Sequence, residues 1–379
     1  MAQSSSKITV LHTRIVSGTG GGPEKTIFNS PRHLAHTRYR ELACYLHAVG
    51  DPGMPILAER AAEKGCPLIT IADPHPFDLR TLEKLARLCR ELEVKIWHGH
   101  DYKSNFFGVL LERICDLRLV TTVHGWVKHT ARTPLYFAVD RWSLRRYEQV
   151  VAVSQDLYDA ALACGVRRER LSLIENAIDT EEFRRKGPAR LAARRAGSAT
   201  PFVIGAVGRL SEEKGFHLLI EACERLADRG HAFELWIAGE GDQHERLARQ
   251  IAAARHAPRW KLLGWQKDTL GLFEAFDLFA LSSLREGLPN VVLEAMAMEV
   301  PVLATRCGGM SAFMHHGEDG WLVEPGSVDE LEAGLERLLS DRALCTELAS
   351  SARTRIEREF SFARRMEQMV LVYDRLWTR

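Results

Sequence analysis

The sequence predicts an α/β protein built from two doubly wound domains. Short apolar runs of strand length alternate with amphipathic helical segments, a pattern typical of parallel sheets covered by helices. This alternation occurs in two series, which a polar, basic stretch over residues 188–200 separates. The chain has 379 residues, a length for which two domains are the natural expectation.

The first series begins directly after a polar N-terminal segment. Its predicted strands are short and apolar: Ile8–Leu11, Leu68–Ile71, Lys95–Trp97, Leu117–Val123 and Gln149–Val153. Apolar residues recur at helical spacing over 82–88. Ser154 follows the last strand and is a good N-cap for a helix over Gln155–Ala163. We expect this first domain to span residues 1–187, with a linker over 188–200.

The second series fills a domain expected to span residues 201–360. Its predicted strands are Phe202–Val207, Glu234–Ala238, Lys261–Leu263, Leu278–Leu281 and Val300–Ala304. Helices are predicted between them, near His217–Arg229, Glu245–Arg255 and Pro289–Met298. Ligands of such sheets bind at the carboxyl ends of the strands, and most of the motifs described below follow directly after a strand.

Composition excludes several classes of protein. Lys and Arg number 51 against 50 Asp and Glu, so no overall charge attracts nucleic acid. No apolar run approaches the ~20 residues of a membrane-spanning helix, and the N-terminus lacks the apolar core of a signal peptide. We therefore expect a cytoplasmic protein. The eight cysteines are scattered without a C-x-x-C pair, which indicates reduced thiols and not a disulfide framework or zinc site.

The segment Ser283–Met296 is the most informative one for function. A buried strand, Phe276–Leu281, precedes it, Glu286 lies on the following loop, and a helix begins near Pro289. A helix N-terminus suits a phosphate, and Glu294 falls about one turn inside this helix. Two carboxylates at such a place suit a sugar nucleotide. Acidic residues near helix starts also occur simply because they offset the helix dipole, so the spacing alone leaves a structural role open.

Two further loops follow predicted strands. Residues 18–25 form a Gly-rich turn after the first strand, which suits close approach to a phosphate or sugar but also a tight structural connection. The segment Gly208–Gly215 carries Arg209 and Lys214, two cations that together could neutralise a diphosphate. A solvated loop would have the same composition, so these two side chains remain candidates at this point.

These segments resemble the motifs of a known family. Glu286–Asn290, Leu293–Ala297, Pro301–Thr305 and Gly308–Gly309 are similar to the E-x7-E region of the retaining glycosyltransferases of family 4, also called glycosyl transferases group 1. Gly208–Gly215 resembles the family's G-R-L-x-x-x-K-G motif. The resemblance implies the GT-B fold, in which two Rossmann-like domains face a central cleft. It also implies that the C-terminal helix, residues 361–379, packs back on the first domain.

The resemblance implies a role for each matched residue. Arg209 and Lys214 hold the donor diphosphate, Glu286 accepts hydrogen bonds from sugar hydroxyls, and Glu294 accepts them from the ribose. His124 lies near the transferred sugar and orients it. The implied catalytic residues are Glu286, His124, Arg209 and Lys214. The implied donor-binding residues are Gly20, Gly21, Arg209, Lys214, Gly239, Gln266, Glu286, Gly287, Leu288 and Glu294.

Polar residues at other strand ends of the first domain are candidates for contact with the acceptor. These are His98, His100, Lys103 and Trp126. The run His98-Gly99-His100-Asp101 also resembles a metal site, but further ligands at a convincing spacing are not evident. No D-x-D motif occurs in a clear site context. The sequence therefore predicts metal-independent transfer with no required cofactor, because Arg209, Lys214 and a helix N-terminus can supply the positive charge.

The segment 135–147 predicts a basic amphipathic helix. Apolar residues lie on one stripe, with Arg141 and Arg145 one turn apart beside it. Such a helix can dock on anionic lipid, and it can equally be a surface helix packed on the sheet. If it docks, the protein lies peripherally on the inner face of a membrane.

The sequence thus predicts a retaining glycosyltransferase that moves a sugar from a nucleoside diphosphate to a hydroxyl acceptor. UDP-sugars are the first expectation for the donor and GDP-mannose the second, and lipid-linked or polysaccharide precursors are candidate acceptors. No residue is placed to form a covalent intermediate, so we expect a same-face mechanism. A sugar-nucleotide epimerase, a phosphorylase with a pyridoxal-phosphate lysine, and a non-catalytic sugar-nucleotide binding protein are the alternatives.

Overall fold

The structure is a computed structural model that describes residues 7–73, 78–125, 133–187 and 201–377. The chain divides into two compact units. Unit 1 consists of Met1–Asn176 and Ala363–Arg379, and unit 2 consists of Ala177–Phe362. Each unit is built around one parallel sheet with helices between its strands.

Unit 1 contains a seven-stranded sheet in the order β3-β2-β1-β4-β5-β6-β7. Its strands, all parallel to their neighbours, are β1 (Ile8–Ile15), β2 (Tyr39–His47), β3 (Leu68–Ala72), β4 (Val94–Gly99), β5 (Arg118–Val123), β6 (Gln149–Ala152) and β7 (Leu171–Leu173). The connecting helices are α1 (Gly22–His33), α2 (Met54–Glu63), α3 (Leu79–Glu91), α4 (Tyr102–Leu111), α5 (Thr133–Leu144) and α6 (Gln155–Ala163). The strand order reverses between β1 and β4.

Unit 2 contains a six-stranded parallel sheet in the order β10-β9-β8-β11-β12-β13. Its strands are β8 (Val203–Val207), β9 (Glu234–Ala238), β10 (Trp260–Leu262), β11 (Leu278–Leu281), β12 (Val302–Thr305) and β13 (Trp321–Val323). The helices are α7 (Phe216–Asp228), α8 (His244–Ala253), α9 (Thr269–Ala275), α10 (Asn290–Ala297), α11 (Met310–Phe313), α12 (Val328–Ser340) and α13 (Arg342–Glu359). Here the strand order reverses between β8 and β11.

The predicted α/β class and the two doubly wound sheets are confirmed. Helix α6 begins and ends at the predicted residues, and the Ser154 hydroxyl accepts a hydrogen bond from Leu157 N (3.4 Å). The central strands of both sheets are buried on both faces, so they are nearly continuous apolar runs. Three described strands, β2, β7 and β13, were missing from the prediction. Among the described residues, none of the helices combines the length and the hydropathy that crossing a membrane requires.

The division between the units falls at Asn176 and Ala177, earlier than the predicted boundary at residue 187. Ile178 N donates to Phe360 O (2.9 Å), and Phe183 is buried in the core of unit 2, so these residues belong there. The predicted linker 188–200 lies outside the described residues. The last helix, α14 (Phe362–Asp374), contributes almost all of its residues to unit 1.

Candidate functional site

Each unit gathers polar residues at the carboxyl ends of the two strands between which the strand order reverses. In unit 1 these are the ends of β1 and β4, and in unit 2 the ends of β8 and β11. Loops diverge there in opposite directions and leave a crevice, which is where open parallel sheets bind their ligands.

In unit 2, the loops after β8 and β11 are joined through their backbones. Leu284 N donates to Glu213 O (2.7 Å), and the Ser282 hydroxyl donates to Lys214 O (3.0 Å). The Thr305 hydroxyl, at the end of β12, donates to Ser283 O (2.6 Å). These hydrogen bonds fix the two loops against each other, although they are about seventy residues apart in the sequence.

This connection brings two of the predicted catalytic residues together. The ammonium group of Lys214 forms an ion pair with Glu286 Oε1, to which the Ser283 hydroxyl also donates (2.7 Å). The side chains of Lys214 and Glu286 are 16% and 12% exposed, so water screens the pair only in part. Among the described residues, the side-chain contacts of Glu286 all fall on Oε1, so Oε2 can accept hydrogen bonds from a ligand.

Arg209 has a different environment. Its side chain is 58% exposed and its Nη2 lies 3.2 Å from Glu213 Oε1. Exposed pairs of this kind contribute only ~0–1 kcal/mol, so Arg209 can leave Glu213 at little cost. The backbone beside it is fixed, because Leu210 N donates to Glu240 O (2.8 Å).

Glycines allow the loops of unit 2 to approach one another closely. Gly239 has a φ of +145°, and a Cβ atom there would lie 1.8 Å from Gly208 O. Gly308 has a φ of +52°, and a Cβ atom there would lie 1.7 Å from Glu286 O. Any other residue at these two positions would push apart the loops that carry the predicted donor-binding residues.

The two glutamates of the E-x7-E segment have distinct environments. Glu286 lies on the loop before α10, whereas Glu294 lies inside α10 and is completely buried. Val292 N donates to Pro289 O (3.1 Å) in the first turn of the helix. The side chain of Leu288 is buried, so a ligand at the start of this helix would contact the backbone of Leu288 and not its side chain. The predicted ribose contact of Glu294 stays a prediction.

The predicted nucleotide-binding positions Gly239 and Gln266 follow neighbouring strands, β9 and β10. Gly239 N donates to Gly264 O (2.8 Å), and the Gln266 amide donates to Leu263 O (2.7 Å). Trp265 is exposed beside them. The turn after β10 is therefore fixed by a hydrogen bond within it and by one to the loop after β9.

In unit 1, carboxylates hold the Gly-rich loop after β1. Gly18 N donates to Asp51 Oδ2 (3.1 Å), and Gly21 N donates to Glu24 Oε2. Glu24 is completely buried, and its other oxygen lies 2.9 Å from Arg14 Nε. The N–H group of Gly21 is therefore occupied in this structure, and the donor contacts predicted for Gly20 and Gly21 remain untested.

Beside this loop, four histidine side chains from β1, β4 and the ends of β4 and β5 form a stack. The ring centroids of His12 and His98 are 4.5 Å apart, those of His98 and His100 are 4.6 Å apart, and those of His100 and His124 are 5.2 Å apart. His12, His98 and His100 are buried, and His124 is partly exposed. Burial lowers the pKa of His98, His100 and His124 well below its usual range, so these rings are neutral near pH 7.

Nitrogen atoms of His12, His98 and His100 lie within 4.8 Å of one another, close enough to suggest a metal site. The rings of His98 and His100 are nearly parallel, at 9°, and stacked. Imidazole binds a metal through the nitrogen lone pair in the ring plane, and stacked planes do not direct these lone pairs at one point. Both ring nitrogens of His98 also have partners, the Tyr373 hydroxyl (2.9 Å) and the Thr122 hydroxyl (2.8 Å).

The remaining acceptor candidates have separate outcomes. Lys103 is buried and its ammonium group pairs with the equally buried Asp73, which places it inside unit 1 and not at a surface open to an acceptor. The Thr81 hydroxyl also donates to Asp73 (3.0 Å). Trp126 lies outside the described residues.

Sequence reasoning missed several residues of the unit 1 crevice. Glu41 lies on β2 and is buried beside His12, with its Oε1 3.0 Å from His12 Nε2. Tyr373 donates to the same oxygen from α14 (3.0 Å). A carboxylate inside an apolar strand is unusual enough to have been noticed, because buried charges require partners.

Comparisons with known proteins match both units. Residues 20–182 match the family Glycosyltransferase Family 4, and residues 201–341 match the family Glycosyl transferases group 1. The lipopolysaccharide core biosynthesis glycosyltransferase LpsE of Rhizobium meliloti is 36% identical over 159 residues, which are 42% of this chain and 46% of that protein. The amylovoran biosynthesis glycosyltransferase AmsK of Erwinia amylovora is 28% identical over 292 residues, which are 72% of this chain and 68% of that protein.

A solved structure covers both units. The crystal structure of Anabaena Alr3699/HepE in complex with UDP and glucose has a TM-score of 0.81 and 24% sequence identity, and the match covers 97% of this chain and 99% of that chain. This likeness confirms the predicted GT-B fold.

Proposed function

This chain belongs to the family 4 glycosyltransferases, glycosyl transferases group 1, and on that premise we propose that it transfers a sugar from a nucleoside diphosphate sugar to a hydroxyl group with retention of the anomeric configuration. The observation that carries the proposal is the partly buried Lys214–Glu286 pair at the carboxyl ends of β8 and β11. It sets a cation for the diphosphate directly beside a carboxylate for the sugar.

The cations of the loop after β8 act on the leaving group. Negative charge builds on the diphosphate as its bond to the sugar breaks, and fixed positive groups lower the energy of that state. Lys214 supplies a compact charge that its neighbours hold in place, and Arg209 supplies a planar fork that is free to turn toward phosphate oxygens. With these two cations and the start of α10, we propose that transfer needs no metal.

The carboxylates act on the hydroxyl groups of the donor. Glu286 keeps its Oε1 on Lys214 and Ser283 and offers Oε2 to the sugar, next to the backbone of Gly287 and Leu288. Glu294 accepts from the ribose, and Gly239 and Gln266 line the nucleotide. His124 in unit 1 orients the transferred sugar. The leaving phosphate takes the acceptor proton, so no enzymic nucleophile is required.

The donor proposed first is a UDP-sugar, with GDP-mannose second. HepE, which this chain resembles in fold, was solved with UDP and glucose and with UDP-glucose. A thermal-shift panel of UDP, GDP, ADP and their sugars tests the base. A ligand at ~100 times its dissociation constant adds about 2.7 kcal/mol to the free energy of unfolding. A shift with GDP alone would overturn the choice of UDP.

The acceptor proposed is a precursor of a polysaccharide or glycoconjugate, in line with the names of LpsE and AmsK. We place the enzyme in the cytoplasm, in peripheral contact with an anionic membrane through residues 135–147. Trp142 is exposed on α5, and the Arg146 guanidinium lies 3.7 Å from its ring centre. Both neighbouring arginines also donate to backbone carbonyls, Arg145 Nε to Cys164 O (2.6 Å) and Arg146 Nη1 to Trp142 O (2.8 Å).

Binding to vesicles tests the membrane contact. The double variant Arg141→Glu and Arg146→Glu should lose co-sedimentation with vesicles of anionic lipid, because each basic residue near such a surface contributes about 1 kcal/mol. A matched change of exposed arginines elsewhere, Arg225→Glu and Arg229→Glu on α7 and after its end, should leave co-sedimentation unchanged. Equal binding by the wild type and the first variant would exclude this surface.

Catalysis is tested with Glu286→Gln, which keeps the size of the side chain and removes its charge. The variant should keep nucleotide binding in the thermal-shift panel and lose transfer. NMR of the product should show that the anomeric configuration of the sugar is retained. An inverted product would overturn the same-face mechanism, and full activity of Glu286→Gln would remove Glu286 from the proposed site.

A further inference from the structure

His124 is the outer member of a buried row of side chains in unit 1. Its Nε2 lies 3.0 Å from His100 Nδ1, and His100 Nε2 lies 2.8 Å from His12 Nδ1. His12 Nε2 lies 3.0 Å from Glu41 Oε1, in an orientation that does not meet the angular criterion for a hydrogen bond. We call these four residues, Glu41, His12, His100 and His124, the histidine relay.

The relay has a direction, because its inner end is a carboxylate. An ionised carboxylate only accepts, and a neutral imidazole carries one N–H donor and one acceptor nitrogen. The negative charge of Glu41 favours the proton of His12 on Nε2 and leaves His12 Nδ1 to accept from His100 Nε2. His100 Nδ1 then accepts from His124 Nε2. This order leaves the lone pair of His124 on Nδ1.

A second row of hydrogen bonds ends on the same carboxylate oxygen. The Tyr373 hydroxyl donates to Glu41 Oε1 (3.0 Å), so His98 Nδ1 must donate to Tyr373 (2.9 Å). His98 Nε2 then accepts from the Thr122 hydroxyl (2.8 Å). Glu41 Oε1 is therefore the common end of both rows.

The surroundings keep Glu41 ionised and the outer rings neutral. Burial raises the pKa of the Glu41 carboxyl, but its contacts with His12, Ser30 and Tyr373 outweigh this and lower it. Burial lowers the pKa of His124, and the guanidinium groups of Arg14 and Arg365 lower it further. The charged or titratable groups that face the relay are Arg14 from β1, His98 from β4, and Arg365 and Tyr373 from α14.

We propose that Glu41 is a positioning residue that acts through His12 and His100 to keep Nδ1 of His124 unprotonated, so that His124 accepts a hydrogen bond from a hydroxyl group of the bound sugar. The identity of that ligand rests on the function proposed above. Among the described residues, the side-chain hydrogen bonds of His124 involve Nε2 alone. His124 therefore selects for a ligand that brings an O–H donor to this point.

The position of the proton on His124 is measured directly in the full chain without any ligand. Long-range ¹H–¹⁵N NMR of protein labelled at histidine distinguishes the two nitrogens of each neutral ring, and the signal missing from His124→Gln identifies His124. Near neutral pH we expect Nε2 protonated and Nδ1 unprotonated. A proton on Nδ1 of His124 in the wild type would overturn the proposal without recourse to any variant.

The variant His12→Phe tests whether Glu41 and His12 set the order of donors and acceptors along the histidine relay. Phe keeps an aromatic ring in the stack but removes both nitrogens, so His100 Nε2–H would lose its acceptor. An unpaired buried donor costs ~1–3 kcal/mol, and we expect His100 and His124 to move their protons to Nδ1 instead. Thr122→Val is the matched control, because the Thr122 hydroxyl contacts the same stack through His98, on the row that ends at Tyr373. In this variant His124 should keep its proton on Nε2.

Each outcome decides the matter. If His12→Phe melts like the wild type and His124 is unchanged, the relay does not set its direction and the proposal is wrong. If His12→Phe does not fold, the wild-type measurement and Thr122→Val still test it. Because no sugar is present, a protein that transfers nothing but shows the expected proton position rejects the proposed function alone. An active enzyme in which Nδ1 of His124 is protonated would contradict the histidine relay but not the proposed function.

Discussion

The two units place their polar groups at equivalent points of similar sheets, but they use opposite chemistry. In unit 1, the crevice between β1 and β4 holds four stacked imidazole rings, three of which are buried. In unit 2, the crevice between β8 and β11 holds Arg209, Lys214 and Glu286, which are charged and reach water. The same topology thus supports a rigid neutral network in one unit and adaptable charges in the other.

The difference follows from how each kind of group is stabilised. Neutral rings tolerate burial when each nitrogen has a partner, and their partners then fix their orientation. Arg209 is more than half exposed and binds Glu213 loosely enough to exchange it for a ligand, whereas Lys214 keeps some contact with water but stays paired with Glu286. We therefore expect substitutions in the unit 1 crevice to affect folding and substitutions in the unit 2 crevice to affect activity.

The largest effect should come from Lys103→Met, which tests whether the buried charges of unit 1 stabilise its fold. Lys103 and Asp73 are both buried, and removal of one partner leaves the other charge without compensation, at a cost of about 3–5 kcal/mol. Urea unfolding measures the loss. Lys95→Met is the control, because Lys95 makes an exposed pair with Asp116 (2.7 Å) and should cost less than ~1 kcal/mol. Equal stability of the two variants would contradict the assignment of Lys103 to the interior.

Lys214→Met should lower activity without a comparable effect on folding. Loss of one group that stabilises transition-state charge lowers kcat by about 10²–10³-fold. Steady-state kinetics measure the loss once a donor is identified, and the midpoint of urea unfolding should move little. Lys261→Met, which removes a half-exposed lysine paired with Glu234 (2.8 Å), should leave kcat unchanged. A variant of Lys214 that unfolds easily but keeps its kcat would reverse the comparison between the units.

The third effect should be a difference in acid sensitivity between the two units. Burial lowers the pKa of His98, His100 and His124 in the folded protein, so the unfolded chain binds more protons below its histidine pKa of about 6.5. The resulting stability is fully present above about pH 6.5 and is lost as the pH falls, by up to ~1.4 kcal/mol per pH unit for each histidine.

Hydrogen exchange read by mass spectrometry separates the two units in this test. After correction for the intrinsic exchange rate, peptides from β4 and β5 should lose more protection than peptides from β8 and β11 between about pH 7.5 and about pH 5.5, on either side of the usual histidine pKa. His217 in unit 2 also has a lowered pKa from burial, but it is one half-buried ring and gives a smaller effect. Equal losses in both sheets would show that the stack does not resist protonation.

The fold could be predicted from the sequence because apolar strands and amphipathic helices alternate locally. The strand β2 was missed because Arg40 and Glu41 interrupt its apolar run. Glu41 is compatible with the strand only because His12 and Tyr373 contact it, and Tyr373 is more than three hundred residues away. Contacts of that separation leave no periodic signal in the sequence.

The candidate site was predicted as a set of separate loops. Strand ends correctly indicated that Lys214 and Glu286 face one crevice, although nothing in the sequence indicated their direct ion pair. His100 and His124 were considered for different roles, and the structure joins them through one hydrogen bond. Lys103 was assigned to acceptor contact because the residues around it in the sequence are polar. Its burial depends on an ion pair with Asp73, which lies at the end of another strand.

The two-segment composition of unit 1 affects the order in which the protein can be assembled during synthesis. Residues 177–362 leave the ribosome as one continuous segment, whereas unit 1 needs Ala363–Arg379 as well. Domains made of one segment generally fold in the order of translation. Here the N-terminal unit must wait for Arg365, which donates to Ile174 O (2.8 Å), and for Tyr373. The carboxylate of Glu41 therefore gains the hydroxyl of Tyr373 as a partner only after all of unit 2 has been synthesised.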